Sequence, residues 1–172
     1  MKRERLEQLP IYKKAVEIVQ FTDALIKTLP EDSEMLLETK AQFIREDAHT
    51  VLTKIAGAVG TDLYDLKMEN AAIIRKSARE LYVTAGSLRF EPDFKDSEYV
   101  ELLRATIEEF RLLFIDWVAA FDPWNYIIDR WGLFNPPGIS VHDKDPGDEI
   151  PFNPKEFLDG IDLEDDDFDE ED

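Results

Sequence analysis

Two histidines and no cysteine leave few side chains in this 172-residue chain that could hold a metal or act as a nucleophile. The nearest approach to a metal motif is Glu46-Asp47-Ala48-His49, whose Glu-x-x-His spacing places two ligands on one helix face, as in di-iron bundles. Such a centre needs a second pair, and the other histidine, His142, stands far along the chain. Ala48 and Leu52 also put apolar packing, not an acidic cage, beside His49. Asp143-Lys144-Asp145-Pro146-Gly147-Asp148 partly matches a calcium loop, but its glycine is one place early and Pro154 stands where the closing glutamate belongs. Gly57-Ala58-Val59-Gly60 lacks the lysine and hydroxyl of a phosphate loop, and Gly86-Ser87-Leu88 lacks the second glycine of a nucleophile elbow. The residues assign no catalytic side chain, no metal site and no cofactor, and the chain reads as non-enzymatic.

Binding chemistry is easier to place. Residues 62–90 hold five basic and four acidic side chains, and Arg75, Lys76 and Arg79 fall away from the apolar positions Ile74, Ala78 and Leu81. They predict a solvent-facing basic cluster able to meet phosphates or an acidic segment. The opposite sign dominates the end of the chain. From Asp143 to Asp172 there are 15 acidic residues and two lysines, so most of the formal charge of −19 is local to the last thirty positions. A dense run of like charge with few apolar groups cannot offset its ordering entropy by burial, which predicts a largely disordered arm. Apolar residues nevertheless recur within it at Phe152, Phe157, Leu158, Ile161 and Phe168, a pattern suited to docking on a basic partner.

The elements that would position these groups are helical. Ile11, Ala15, Ile18, Thr22, Leu25 and Leu29 alternate steps of four and three, with Pro10 in the first turn and Leu29-Pro30 as the stop. A second stripe, Leu37, Ala41, Ile44, Ala48, Leu52, Ile55 and Val59, starts near the capping residues Asp32-Ser33 and ends at Gly60. Thr61-Asp62 predicts the cap of a third helix carrying Ile74, Ala78, Leu81, Ala85 and Leu88, stopped by Glu91-Pro92-Asp93. Asp96-Ser97 opens a fourth, with Val100, Leu103, Ile107, Phe110, Phe114, Trp117 and Phe121 in near-heptad register. Strand signals are lacking, and the short connections imply an all-α, antiparallel up-down-up-down four-helix bundle.

The fourth helix is apolar over more than one face, since Leu112, Leu113, Ile115 and Val118 widen its arc. After Asp122-Pro123 a short fifth helix is predicted over 124–131, rich in aromatics. Leu113, Phe114, Trp117, Phe121, Trp124 and Trp131 are therefore the expected interface, either folding back on the bundle or meeting another subunit. Two regions follow: a bundle with its aromatic end over 1–134, and a proline-broken acidic tail over 135–172. No apolar run is long enough to span a membrane, and no export signal is visible after Met1-Lys2-Arg3-Glu4-Arg5; with the absence of cysteine this suits a cytoplasmic location.

Ile11-Tyr12-Lys13-Lys14-Ala15-Val16-Glu17-Ile18-Val19, followed by Leu29-Pro30-Glu31, resembles the opening helix of the bacterial four-helix-bundle proteins first associated with intervening sequences in large-subunit ribosomal RNA genes. Lys54-Ile55-Ala56-Gly57 lies where that family usually has an Asn-Ile-Ala-Glu-Gly turn. Ile74-Arg75-Lys76-Ser77-Ala78-Arg79-Glu80-Leu81 is similar to its Ala-x-Gly-Ser-x-x-Glu-Leu pattern. The resemblance spans about residues 9–121 and implies a non-enzymatic bundle that assembles into a ring, typically a pentamer. One branch of the family assists retroelement reverse transcriptases through basic surfaces. This chain departs in lacking the Asn and Glu of the turn, in its aromatic end and acidic tail, and in its negative charge.

Taken together, these features lead to the expectation of a self-assembling scaffold or adaptor that recruits a basic protein partner through its tail. A nucleic-acid mimic, its acidic arm filling the basic channel of a DNA- or RNA-handling protein, is the alternative. A second alternative is an accessory protein that binds nucleic acid weakly at Arg75, Lys76 and Arg79. With so much negative charge, nucleic acid is not the first expectation for a direct partner.

Overall fold

The computed structural model describes residues 2–30, 35–91 and 94–149. Five α-helices form, α1 (Lys2–Gln8), α2 (Pro10–Lys27), α3 (Met35–Gly60), α4 (Tyr64–Ser87) and α5 (Ser97–Ala119), and no strand occurs among the described residues. The predicted stops and caps at Asp32-Ser33 and Pro92-Asp93, and the acidic tail from Ile150 onward, lie outside the described residues.

The long helices bury most of the stripes their spacing predicts. Ile11, Ala15, Ile18, Thr22 and Leu25 of α2 are buried, as are Ile74, Ala78, Leu81 and Ala85 of α4 and Val100, Leu103, Ile107 and Phe110 of α5. On α3 the stripe steps differently. Val51 and Ala58 are fully buried while Leu52 and Val59 are only half-buried, so the inward line runs 48, 51, 55, 58. Steps of three and four are equally helical, and here small Ala58 and Gly57 bring α3 close to α4. A methyl on Gly57 would lie 3.1 Å from the Asn70 side chain of α4.

The four stripes close on one another: α2 packs on α3 and α5, and α4 packs on the same two helices. The α3–α4 contact is the most extensive. Lys54-Ile55-Ala56-Gly57 lies inside α3 and is helical, not a turn. Helix α1 was not expected from the charged first residues; it forms because Leu6 and Leu9 lean on the core ends of α2 and α3. Two capping expectations also change. Leu63, not Thr61 or Asp62, precedes α4, and neither it nor Asp96 before α5 makes a side-chain cap.

After α5 the α-helical run ends, and the next helical turn among the described residues is a short 3-10 turn at Pro146–Glu149. Residues 124–131 form turns and loop, which corrects the expected fifth helix. The reason is where the backbone amides go. Trp124 N–H donates to Asp122, Ile127 to Asp65, Ile128 to Asp145 and Asp129 to the Asn135 side chain. Trp131, Leu133 and Phe134 all donate to the Asp129 carboxylate at 2.8–2.9 Å. With side chains taking these donors, the i to i−4 bonds of a helix cannot form. Gly132, at φ 76°, supplies the left-handed turn within this knot.

One buried polar atom stands out. The Thr22 hydroxyl sits in the α2 stripe at 1% exposure with no hydrogen-bond partner among the described residues. An unpaired buried hydroxyl costs on the order of 1–3 kcal/mol. Thr22→Val is therefore expected to stabilise the fold by about 1 kcal/mol, read as a higher urea midpoint at an unchanged slope.

Candidate functional site at the α4–α5 surface

The two features that the sequence places apart, basic cluster and aromatic helix, meet on one surface. Between α4 and α5 lies a groove of about 250 Å³ floored by Ala78, Tyr82, Ile107, Phe110 and Phe114. Arg75 and Arg79 from α4 and Arg111 from α5 rim it. Helical geometry explains the meeting: 75 and 79 lie one turn apart beside the buried 74/78 line, and 111 follows buried Phe110 on the α4 side of α5.

The three basic residues of α4 are not equivalent. All are exposed. Lys76 faces Glu80 at 3.8 Å and also acts on Asp47, whose carboxyl is held above its ordinary range by burial, with a hydrogen bond from Ser77 pulling the other way. Arg111 is held by Glu108 at 2.8 Å. Arg75 and Arg79 have no carboxylate within ion-pair distance among the described residues.

On α5 the rings form a ladder. Phe110 and Phe114 stack at 6.2 Å, and Trp117 meets Phe121 edge to face at 4.8 Å and 79°. Leu113, Phe114 and Trp117 are half-buried against the core, and the Lys67 ammonium lies 5.5 Å from the Phe121 ring centroid. Leu113, Phe114 and Trp117 thus face the core, and Phe121 closes on Trp117 and Lys67. The outward side of α5 is instead Leu112 and Ile115, 58% and 52% exposed. Trp124 and Trp131 project from the following loop at 77% and 91% exposure.

That loop is stitched to the bundle. The Asn125 carbonyl accepts the Tyr64 amide at 2.7 Å, satisfying an open donor at the start of α4, and the Asn125 side chain donates to the Asp62 carbonyl. Further ties run along the loop: Asn135 donates to the Asp129 carbonyl, and Arg130 donates to the carbonyls of Val141 and Asp143. Asp143 takes the Ser140 amide and Asp145 the Ile128 amide, so these two aspartates of the calcium-like stretch work as loop ties. Glu46 and His49 are exposed on α3, and no group of three metal-ligating side chains gathers among the described residues. No described helix is long and apolar enough to cross a membrane. Phe152, Phe157, Leu158, Ile161 and Phe168 lie outside the described residues.

No protein-family model matches the chain, and no curated protein or solved structure is significantly similar to it.

Asp129 gives a pH handle on the loop. Its carboxyl is held below the ordinary range, first by the Phe134 amide and then by those of Trp131, Leu133 and Gly132. A depressed carboxylate contributes its tie above the usual Asp value and loses it as pH falls through the lowered one. Acidification to below the ordinary aspartate range is therefore expected to release the Leu133 and Phe134 amides, seen as loss of their hydrogen-bonded NMR shifts. Asp129→Ala should do the same at neutral pH while the α2–α5 signals stay in place.

Proposed function

We propose that this protein is a non-catalytic helical scaffold or adaptor that associates with copies of itself through the outward face of α5 and recruits a basic partner through its acidic C-terminal residues. The observation that carries the reading is the second apolar face of α5. Leu112 stands two residues from buried Phe110, hence on the far side of the helix, and Ile115 and Ala119 continue the same exposed stripe. A contiguous apolar stripe on a chain with net charge −19 has no solubility rationale, and such stripes mark association surfaces.

In this reading the four long helices run up, down, up and down as an antiparallel bundle, which the closed cycle of helix contacts and the short connections support. The family resemblance supports a ring, with a pentamer as its typical size, in a bacterial cytoplasm. The residues 135–172 act as the recruiting region, with Phe152, Phe157, Leu158, Ile161 and Phe168 as apolar anchors among carboxylates. A second reading, weak nucleic-acid contact, draws on exposed Arg75 and Arg79, which lack acidic partners among the described residues.

Sedimentation equilibrium at tens of micromolar tests the assembly. Wild-type protein should sediment as a multimer. Leu112→Glu and Ile115→Glu should each weaken association roughly ten- to a hundredfold, the equivalent of losing one buried aliphatic side chain per contact, with unchanged helicity. A wild-type monomer at these concentrations would remove the self-association half of the reading.

A further inference from the structure

The groove rimmed by Arg75, Arg79 and Arg111 carries an unsettled electrostatic account. Arg75 and Arg79 are four residues apart on one helix, a like-charge spacing that destabilises a helix unless an anion lies between. In a chain with 39 acidic residues, neither forms an ion pair among the described residues, and Glu108, the one carboxylate lining the groove, is taken by Arg111 at 2.8 Å. Beneath them the floor is apolar, with Phe110 and Ile107 buried and Tyr82 and Phe114 half-buried. An occupant that satisfies both features must carry carboxylates and an aromatic or aliphatic group together. A floor of about 250 Å³ is roomy enough for an aromatic ring, since a dry cavity of about 150 Å³ holds benzene.

We propose that this groove is the docking site for the chain's own acidic C-terminal segment, residues 157–163, bound in cis. That segment reads Phe157-Leu158-Asp159-Gly160-Ile161-Asp162-Leu163 and supplies both kinds of group within a few residues. Phe157 or Leu158 fills the apolar floor while Asp159 and Asp162 meet Arg75 and Arg79. Residues 164–167, Glu164-Asp165-Asp166-Asp167, add long-range attraction.

Reach favours the same molecule. Asp145 is bound to the Ile128 amide, and the neighbouring Ile127 amide donates to Asp65 in the first turn of α4. From Asp65 to Arg79 the helix rises about 21 Å, and the twelve residues from Asp145 to Phe157 reach at most about 40 Å. The tether also sets a local concentration in the millimolar range, which an untethered acidic peptide of equal affinity does not match. The tail would then cover the basic groove until a competing partner displaces it, so recruitment and release become one exchange. This device uses a different face from Leu112 and Ile115 and requires no self-association.

Because the chain has no cysteine, Asp166→Cys gives full-length protein a single site for a nitroxide label. Relaxation enhancement is then read on isotope-labelled amides, in the Leu112→Glu background to keep assembly out of the readout. Cis docking predicts that Ala78, Tyr82 and Ile107 lose more than half their intensity while Phe43 on α3 does not. Arg75→Glu with Arg79→Glu, both exposed and so compatible with the fold, should abolish the effect with unchanged helicity. Raising salt to 1 M, where the Debye length shrinks to about 3 Å, should weaken it. Three results would overturn the proposal: no selective broadening at the groove, broadening that survives the double variant, or equal broadening when spin-labelled unenriched protein is mixed with enriched unlabelled protein. The last would assign the contact to a second copy. Absent broadening with saturable shifts on adding a single-stranded oligonucleotide would assign the groove to nucleic acid.

Discussion

Four helices, each with one continuous apolar stripe, can hide those stripes only by facing a common centre, and that constraint sets everything else in the molecule. Ile18 and Leu25 of α2, Ile44 and Ile55 of α3, Ile74 and Leu81 of α4, and Leu103 and Phe110 of α5 are all essentially removed from solvent. Apolar burial of this kind stabilises by roughly 1.5–3 kcal/mol per large side chain, so the orientation of every helix about its axis is fixed by its stripe. Once α5 turns Leu103, Ile107 and Phe110 inward, Leu112 and Ile115 have nowhere to go but outward. The exposed face is a consequence of the core, and the functional reading grows from it.

The same orientation brings Arg75 and Arg79 beside the α4–α5 seam and leaves the ring ladder at the bundle end. There the chain leaves α5 and is caught by polar ties. Asn125 completes the first turn of α4, and Asp129 gathers the amides of Trp131, Leu133 and Phe134. These bonds hold Trp124 and Trp131 out in solvent without a helix beneath them. Core, outward stripe and tied loop thus form one platform, with the loop fastened at Asp65 in the first turn of α4.

Much of this was legible in the residues. The α2, α4 and α5 stripes read correctly through most of their length because periodicity reports the buried face directly, while Leu29 beyond α2 and Phe114, Trp117 and Phe121 at the end of the α5 line are only half-buried. On α3 the line slipped by one position at Val51 and Ala58, where either neighbour is apolar and only the close approach of α4 at Gly57 decides between them. The expected helix over 124–131 failed for a readable reason: Asp122, Asn125, Asp129 and Asn135 are dense in side chains that compete for backbone amides, and aromatic content outweighed that signal. Helix α1 was hidden because its few apolar residues matter only against a neighbour already in place. The basic cluster and the wide face of α5 were each visible, but their convergence into a groove depends on the packing of α4 on α5, and no local pattern encodes it. The packing also decides what the α5 spacing alone leaves open, turning Leu113, Phe114 and Trp117 toward the core and Leu112 and Ile115 toward solvent.

The central claim is that the outward stripe of α5 is covered in the working protein. Hydroxyl-radical footprinting of the full chain across a concentration series, from tens of nanomolar to tens of micromolar, addresses it residue by residue. The account predicts that oxidation of Leu112 and Ile115 falls steeply as concentration rises, while Met35 and Phe43 on α3, exposed at 81% and 54%, stay equally reactive. Unchanged oxidation of Leu112 and Ile115 over the whole series would contradict it.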